Sequence, residues 1–448
     1  MPTLTLPQRP PGPPQQWLFG NLREFGRDRL GTLSRWAREY GDVVWSRFGP
    51  RAVMILNHPD LVEEVLVNQN RKFIKHYRLR DATRTLGQGL LISEGEFWRG
   101  QRKLAQPAFH RERIAGYGEM MVQLTERMLR GWADGQIRDA QDDMMRLTLE
   151  IVAKTLFDAE IGGDSADVSA AMDTLMQAFV VRTASLLSPP HWIPTPMNIR
   201  VERAIRRLER ILRAVIAERR KSGEDRGDLL SMLLRAQDEE SGRRMTDTQL
   251  RDEVMTLFMA GHETTASTLA WAWFLLSQHP EAEMRLHEEL ARVLGGRPPS
   301  LGDLPHLPYA ESVINETLRV YPTAWMVGRE NIEALELGGY PIPVGTTVFM
   351  PQWVIHRDPR WFDDPDEFRP DRWEGGLMQR LHRYAYFPFG GGPRICIGNN
   401  FALMEAVLVL ATVAQKFRLR LAADARVAPL ATMTLRPAHG VKVVLAER

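Results

Sequence analysis

One segment without proline constrains the fold of this chain more than any other feature. Thr246 and Gln249 have the spacing of a capping box, which marks the start of a helix, and the next proline is Pro280. The intervening residues predict a helix of about 32 residues, or about 48 Å. Its middle, residues 254–260, is apolar on nearly every face. Such a helix is expected to run through the interior of a large core.

The rest of the chain predicts a mainly α fold with a small β region. Apolar alternation at 42–56 predicts a hairpin, and residues of about 61–320 predict mainly helices. Residues of about 321–448 are rich in turns and short strands, with one buried helix at about 399–417. The first 20 residues are rich in proline. We expect all 448 residues to form a single domain.

Composition excludes several classes of protein. A single cysteine excludes an internal disulfide, a four-cysteine zinc site and a two-cysteine redox motif. The 58 basic residues are balanced by 56 acidic ones, which indicates no nucleic-acid partner. The N-terminus lacks the basic start and apolar core of a signal peptide, and no apolar run approaches the ~20 residues of a membrane span. The sequence therefore predicts a cytoplasmic protein.

The single cysteine, Cys396, lies in a glycine-rich loop. Residues 387–398 read Phe-Pro-Phe-Gly-Gly-Gly-Pro-Arg-Ile-Cys-Ile-Gly, and a helix is predicted to begin just after Gly398. The positive end of that helix dipole favours a thiolate, which is a metal ligand. The spacing matches neither a phosphate loop nor a dinucleotide-binding turn. A small buried cysteine, or a nucleophile with one of the eleven histidines as its base, stays open.

A second group of polar residues interrupts the apolar part of the long predicted helix. Residues 260–265 read Ala-Gly-His-Glu-Thr-Thr, which places Glu263 and Thr264 in apolar surroundings. A zinc protease would need a second histidine where Ala266 stands. Gly261 costs about 1 kcal/mol in a helix and makes room beside the backbone. Small residues at a helix crossing account for Gly261 but not for Glu263.

Two further pairs have helical spacing. Glu316 and Arg319 are three residues apart, which places opposite charges on one helix face. Trp98 and Arg102 are four residues apart, an arrangement suited to holding a carboxylate at the rim of an apolar pocket. Either pair alone is a weak signal.

Together, these motifs and their order resemble the cytochrome P450 family, the haem-thiolate monooxygenases. The motifs are Phe389-x-x-Gly392-x-Arg394-x-Cys396-x-Gly398, Ala260-Gly261-x-Glu263-Thr264-Thr265, Glu316-x-x-Arg319 and Trp98-x-x-x-Arg102. The resemblance covers nearly the whole chain and is closest to the soluble bacterial members. It implies a cytochrome P450-like helical prism, with haem b (heme b, iron protoporphyrin IX) between the long central helix and the cysteine loop.

The resemblance also implies roles for residues around the cofactor. Cys396 would be the axial ligand of the iron, and Phe389 would pack beside its sulfur. The haem propionates would be held by Trp98, Arg102, Arg329 and Arg394. A buried ion network of Glu316, Arg319 and Arg372 would lock the loop before the cysteine. This chain has Pro-Asp-Arg-Trp at 370–373 where the family usually has Pro-Glu-Arg-Phe.

The implied reaction inserts one oxygen atom of O2 into a hydrophobic substrate. Glu263 and Thr264 would be the catalytic acid and alcohol that steer protons, beside the catalytic Cys396. We expect a fatty acid, terpenoid or steroid as substrate, because the implied pocket is mostly apolar. Its residues would be Leu257, Phe258, Ala260, Ala324, Met326, Val327 and Met433.

Electrons are expected from a separate partner, a ferredoxin or flavodoxin with its NAD(P)H reductase. Basic residues near the cysteine side would receive it, namely Arg102, Lys103, Arg111 and Arg113. The proline-rich loop 185–196 is either a lid over the substrate channel or a rigid crossover. Three alternatives stay open: a haem-thiolate peroxygenase or isomerase, a haem-binding sensor or carrier without turnover, and a cysteine hydrolase.

Overall fold

The computed structural model describes residues 9–80, 83–110, 114–157, 192–237 and 244–448, together with the isolated positions 170, 171, 174, 175, 178, 190 and 242. These residues are mainly helical with a small β content, as predicted. The α-helices are α1 (Leu22–Arg27), α2 (Arg29–Tyr40), α3 (Pro59–Glu63), α4 (Tyr77–Arg80), α5 (Thr83–Leu86), α6 (Gly95–Ala105), α7 (Gly118–Leu129), α8 (Ala140–Phe157), α9 (Pro196–Ser222), α10 (Leu229–Arg235), α11 (Asp247–Gln278), α12 (Pro280–Leu294), α13 (Pro308–Val320), α14 (Gln352–Ile355), α15 (Leu377–Arg380) and α16 (Asn399–Lys416).

The strands are short and fall into small sheets. They are β1 (Val43–Phe48), β2 (Arg51–Leu56), β3 (Phe73–Lys75), β4 (Ile137–Asp139), β5 (Val327–Asn331), β6 (Leu335–Leu337), β7 (Tyr340–Ile342), β8 (Thr347–Met350), β9 (Phe417–Leu421), β10 (Pro429–Ala431), β11 (Leu435–Pro437) and β12 (Lys442–Glu447). Their concentration after residue 326 agrees with the turn- and strand-rich C-terminal part that the sequence predicts.

The described residues divide into two compact units. The first contains those of 1–81, 318–367 and 375–396. Its five-stranded sheet has the order β1-β2-β8-β5-β3, in which β1 and β2 form the predicted hairpin with Val43 opposite Leu56. Strand β8 is parallel to β2 and antiparallel to β5. A core that includes Met54, Val348 and Met350 packs against this sheet.

The second unit contains the described residues of 82–317, 368–374 and 397–448. Helix α11 begins as predicted, because the Thr246 hydroxyl accepts from Gln249 N at 3.2 Å and Gln249 Oε1 accepts from Thr246 N at 2.8 Å. The helix is continuous over 32 residues and most of its side chains are buried. Helices α8 and α16 pack against it, and α16 is itself almost wholly buried from Met404 to Ala414.

Strands of the second unit form the β4-β12-β9 sheet and the β10–β11 hairpin. Helix α13 runs across the boundary between the two units, since the first unit begins again at Leu318. That all residues form one domain stays a prediction. No helix among the described residues is both long and apolar enough to span a membrane. Of the proline-rich loop 185–196, residues 185–189 and 191 lie outside the described residues.

Candidate active site

The cysteine loop of the first unit is folded back on itself. Cys396 N donates to Phe389 O at 3.0 Å, and Ile395 N donates to Gly392 O at 3.1 Å. The bond between positions 389 and 396 closes the loop. It leaves the Cys396 side chain exposed, while Phe389 and Arg394 are half-buried.

Gly392 is the glycine that this loop requires most strictly. Its φ is +63°, a conformation that side chains disfavour, and an added Cβ would lie 1.9 Å from Leu66 O. The same residue donates its N–H to the Tyr384 hydroxyl at 3.2 Å. The glycine therefore allows the loop to pack closely against the backbone at Leu66.

A buried histidine supports the start of the loop. Phe387 N donates to His356 Nε2 at 3.0 Å, and Gln352 Nε2 donates to Phe387 O at 2.6 Å. Burial, and then the neighbouring Arg319 guanidinium, hold the pKa of His356 well below its usual range, so the neutral ring accepts this bond. Neither His356 nor Gln352 belongs to a recognisable motif, which is why the sequence does not single them out.

The two charged residues of the Glu316-x-x-Arg319 motif contact different segments of the chain. Arg319, in the first unit, donates to the carbonyl oxygens of His356 at 2.9 Å and Glu367 at 2.8 Å. Glu316, in the second unit, accepts from Arg372 Nε at 2.9 Å. The Glu316 side chain is fully buried and that of Arg372 is 6% exposed. Glu316 and Arg372 therefore form a buried ion pair, while Arg319 contacts backbone carbonyls.

Trp373 adds a contact that the usual phenylalanine cannot make. Its Nε1 donates to Glu316 Oε2 at 3.0 Å, and Arg369 N donates to Glu316 Oε1 at 2.9 Å. Both carboxylate oxygens of Glu316 are thus satisfied inside the second unit. The departure from the family pattern at this position strengthens the network.

Cations cluster beside Arg329 in the first unit. Arg329 on β5 lies opposite Lys75 on β3, and both are buried. Burial, and then the nearby cations Lys75 and Arg329, lower the pKa of His76 to about 3. Such a concentration of positive charge suits a carboxylate-bearing ligand. The sequence does not identify Lys75 or His76, because only the sheet brings them to Arg329.

The Trp98 and Arg102 pair lies on α6 in the second unit. Trp98 is buried, and Arg102 is half-buried with its Nε donating to Gln106 Oε1 at 2.8 Å. Lys103, the next residue, is exposed. Arg111 and Arg113 of the predicted basic patch lie outside the described residues.

One face of α11 is accessible along the middle of the helix. Leu257, Ala260, Gly261 and Thr264 recur at helical spacing, and none of them is buried. We call these four residues the open face. The Thr264 hydroxyl donates to Ala260 O at 2.8 Å, so its oxygen keeps lone pairs for an acceptor role. Phe258 does not belong to the open face, because it is buried and its ring lies 6.1 Å from that of His262.

Glu263 projects to one side of the open face, where it contacts the β10–β11 hairpin. It is 3% exposed, and its Oε1 accepts from the Thr434 hydroxyl at 2.6 Å. Met433, the neighbour of Thr434, is half-buried. Glu263 and Thr264 are adjacent in sequence, yet they project from α11 about 100° apart.

A short segment of chain, residues 87–90, is held against the N-terminal part of α11. Gln88 N donates to Asp252 Oδ2 at 2.7 Å, and Leu90 N donates to Glu253 Oε2 at 3.0 Å. A Cβ on Gly89 would lie 2.0 Å from Thr256 Oγ1, so only glycine fits. We call residues 87–90 the α11 strap. The sequence gives no sign of it.

Burial strongly raises the pKa of Glu253, the acid that accepts from the α11 strap. It is 1% exposed, and burial raises its pKa to about 8, with Asp252 adding to the shift. Asp252 in turn accepts from the Arg251 guanidinium at 2.7 Å. Glu253 is therefore mainly protonated at neutral pH.

The remaining residues of the implied pocket lie in the first unit. Ala324 is exposed, and Met326 and Val327 are half-buried at the start of β5. Trp325 between them is buried, and its carbonyl accepts from Trp353 N at 3.1 Å. Ala324, Met326 and Val327 are thus available for contact with a ligand, whereas Trp325 anchors the segment.

Comparisons with known proteins agree on one family. The family model described as Cytochrome P450 matches residues 10–444 of this chain. A cyclooctat-9-en-7-ol 5-monooxygenase from Streptomyces melanosporofaciens is 40% identical over 401 residues, covering 87% of either chain. A pentalenene oxygenase from Streptomyces avermitilis is 36% identical and covers 91% of either chain. A cytokinin hydroxylase from Arabidopsis thaliana is 33% identical, covering 92% of this chain and 82% of its own.

Proposed function

The chain belongs to the cytochrome P450 family and is a monooxygenase that binds haem b, and from this we propose that it hydroxylates a cyclic terpenoid. One observation carries the substrate class. Two relatives that match about nine tenths of the chain are named for cyclooctat-9-en-7-ol and for pentalenene. The apolar character of Leu257, Ala260 and Met326 is consistent with such a substrate.

The residues present fit the cofactor that the family requires. Haem b needs a thiolate for its iron and donors for two carboxylates. Cys396 is exposed on a loop whose backbone is fixed, which fits the thiolate role. The buried cations Lys75 and Arg329, with Arg394 of the same unit, fit the carboxylates, and Arg102 of the second unit stays a predicted donor. Membership of a monooxygenase family also argues against two of the alternatives, a cysteine hydrolase and a haem carrier without turnover.

We assign the roles of the chain's own groups as follows. Bound haem supplies the oxygen-activating chemistry. The open face of α11 receives the apolar substrate and excludes bulk water, with Leu257 and Ala260 as its apolar part. The Thr264 hydroxyl, fixed by its bond to Ala260 O, accepts a hydrogen bond from a water at this face. Glu263 is the neighbouring acid from which a proton is supplied.

The ion pair of Glu316 with Arg372 and the contacts of Arg319 have a supporting role in this proposal. Arg319 fixes the carbonyls at positions 356 and 367, and His356 fixes the start of the cysteine loop. The start of the cysteine loop is therefore held through a chain of hydrogen bonds. Electrons reach the enzyme from a separate donor, which we propose to be a ferredoxin or flavodoxin with its NAD(P)H reductase.

Two measurements test this function. The first is the carbon monoxide difference spectrum of the reduced protein, in which thiolate ligation gives a red-shifted band. We expect this band in the wild type and its loss in Cys396→Ala.

The second is turnover of pentalenene and of cyclooctat-9-en-7-ol under ¹⁸O₂, with NADPH, a ferredoxin and its reductase. We expect one labelled oxygen atom in the product. A normal spectrum without labelled product from either terpenoid would contradict the substrate class, and product formed only with added peroxide would favour a peroxygenase.

A further inference from the structure

The β10–β11 hairpin holds the side chain of Glu263. The Thr434 hydroxyl donates to Glu263 Oε1 at 2.6 Å, across 171 positions in sequence. Thr434 is 8% exposed and Glu263 is 3% exposed. A buried hydrogen bond from a hydroxyl to a carboxyl is strong, because water has little access to replace it. This bond therefore fixes where the carboxyl lies.

The turn that presents Thr434 is itself anchored to α11. Thr432 donates both its N–H and its hydroxyl to Thr434 O, each at 2.9 Å. Trp271 Nε1 on α11 donates to Leu435 O at 3.0 Å. Trp271 follows Glu263 by about two helical turns. The hairpin is thus attached to α11 at two positions, and the Thr434 hydroxyl has little freedom to move away from Glu263.

The two polar parts of Thr434 have separate tasks. Its backbone carbonyl closes the turn by accepting from Thr432, and its hydroxyl reaches Glu263. Removing the hydroxyl alone therefore leaves the bonds of the turn in place. The Thr434 hydroxyl is therefore not needed to close the turn, and it contacts Glu263 instead.

We propose that Thr434 is a positioning residue of the monooxygenase reaction, which sets the side-chain orientation from which Glu263 supplies a proton to the open face. The proposal rests on the role of Glu263 in the proposed function. Monooxygenation breaks the O–O bond of one O2 with two electrons from NAD(P)H and two protons, giving one alcohol and one water. If protons arrive wrongly, the same electrons and protons reduce O2 to hydrogen peroxide and the substrate is unchanged.

Three variants separate this role from a structural one. Thr434→Val keeps the shape of the side chain and removes the hydroxyl. Thr434→Ser keeps the hydroxyl. Thr432→Val is the matched control, because it removes a hydroxyl from the same turn that bonds to Thr434 O. Haem content and the midpoint of thermal unfolding confirm that each variant is folded and loaded.

The first readout does not require turnover. The infrared band of the Glu263 carboxyl in the holoenzyme is identified by its loss in Glu263→Gln. We expect this band to shift in Thr434→Val, to return in Thr434→Ser and to stay unchanged in Thr432→Val. An unshifted band in Thr434→Val would overturn the proposal, because the carboxyl would then not depend on this hydroxyl.

The second readout is the division of electrons between alcohol and hydrogen peroxide, with pentalenene or cyclooctat-9-en-7-ol as substrate. We expect Thr434→Val to lower kcat for the alcohol about tenfold with little change in KM, and to raise peroxide, since one positioned acid contributes at least this much. Thr434→Ser should restore the wild-type ratio of alcohol to hydrogen peroxide. An equal loss in Thr432→Val would assign the effect to the turn and contradict the proposal.

The two readouts also distinguish failure of the proposed function from failure of this inference. If neither terpenoid is oxidised by the wild type, the substrate class is wrong, and the infrared shift still decides whether Thr434 orients Glu263. If the band shifts while the division of electrons in a working enzyme is unchanged, Thr434 orients the carboxyl without serving proton delivery, and the proposal fails.

Discussion

Glu253 should give the α11 strap a dependence on pH that can be measured directly. The carboxyl has an ordinary pKa of 4.5, and burial raises its pKa to about 8 in the closed structure. Opening of the strap would return Glu253 to water and to its ordinary pKa. Protonation therefore favours the closed strap. Its stabilising effect is complete below about pH 4.5, declines as the pH rises toward 8, and is lost above 8.

The size of the effect follows from the shift in pKa. Each pH unit in this window changes the free energy of opening by about 1.4 kcal/mol, or tenfold in the opening equilibrium. Between pH 6 and pH 8 the closed strap should lose about 2.3 kcal/mol, about 50-fold, because the dependence on pH weakens as the pH reaches the raised pKa. The charge of Asp252 also raises the pKa of Glu253, and Arg251 pairs with Asp252. The control variant must therefore leave Arg251 and Asp252 unchanged.

Hydrogen exchange of the Leu90 amide is the suitable assay, because this amide donates to Glu253. Its protection factor in the holoenzyme, corrected for the intrinsic exchange rate, should fall about 50-fold from pH 6 to pH 8. The variant Glu253→Gln keeps a neutral acceptor of nearly the same shape and should show a flat profile. Parallel profiles in the wild type and in Glu253→Gln would refute the reasoning.

Three further substitutions test the network and the cysteine loop. Glu316→Ala leaves the buried Arg372 without its carboxylate, which costs about 3–5 kcal/mol, and we expect the purified protein to have lost haem; full haem content would contradict this. Trp373→Phe removes one bond to Glu316 and should lower the unfolding free energy in urea by about 1–3 kcal/mol, with unchanged stability as the contrary result. Gly392→Ala should abolish the carbon monoxide band of thiolate ligation because its Cβ would meet Leu66 O. Gly390→Ala is its control, with φ of +72° and nothing within 4 Å of the added Cβ, and an equal loss in both would assign the effect to backbone strain alone.

The features that the sequence predicts well are those with local signals. Helix α11 could be predicted almost to the residue, because Thr246, Gln249 and Pro280 mark its limits within the chain itself. The hairpin of β1 and β2 has a local alternation of the same kind. The proposed acid and alcohol, Glu263 and Thr264, stand in one hexapeptide, so a sequence motif predicts them without any knowledge of the fold.

The features that the sequence does not predict depend on contacts between distant positions. Leu90 and Glu253 are 163 residues apart, and nothing near either residue indicates the other. Lys75 meets Arg329 only because β3 pairs with β5 in one register. Phe258 is apolar and near the proposed site in sequence, yet it is buried beside His262, unlike the residues of the open face. Whether a residue of α11 lies on the open face depends on its orientation around the helix axis.

In the proposed function, helix α11 holds the residues of substrate contact and the acid of proton supply at separate positions. The strap is held at Asp252 and Glu253, and the β10–β11 hairpin is held at Glu263 and Trp271. Leu257 and Ala260 of the open face lie along the helix between these two attachments, and the contacts at the attachments do not involve their side chains. Substitutions at these two positions can therefore reshape the proposed substrate face while both buried acids keep their partners. Because the helix is continuous across all of these residues, it also keeps the two attachments at a fixed spacing along the face.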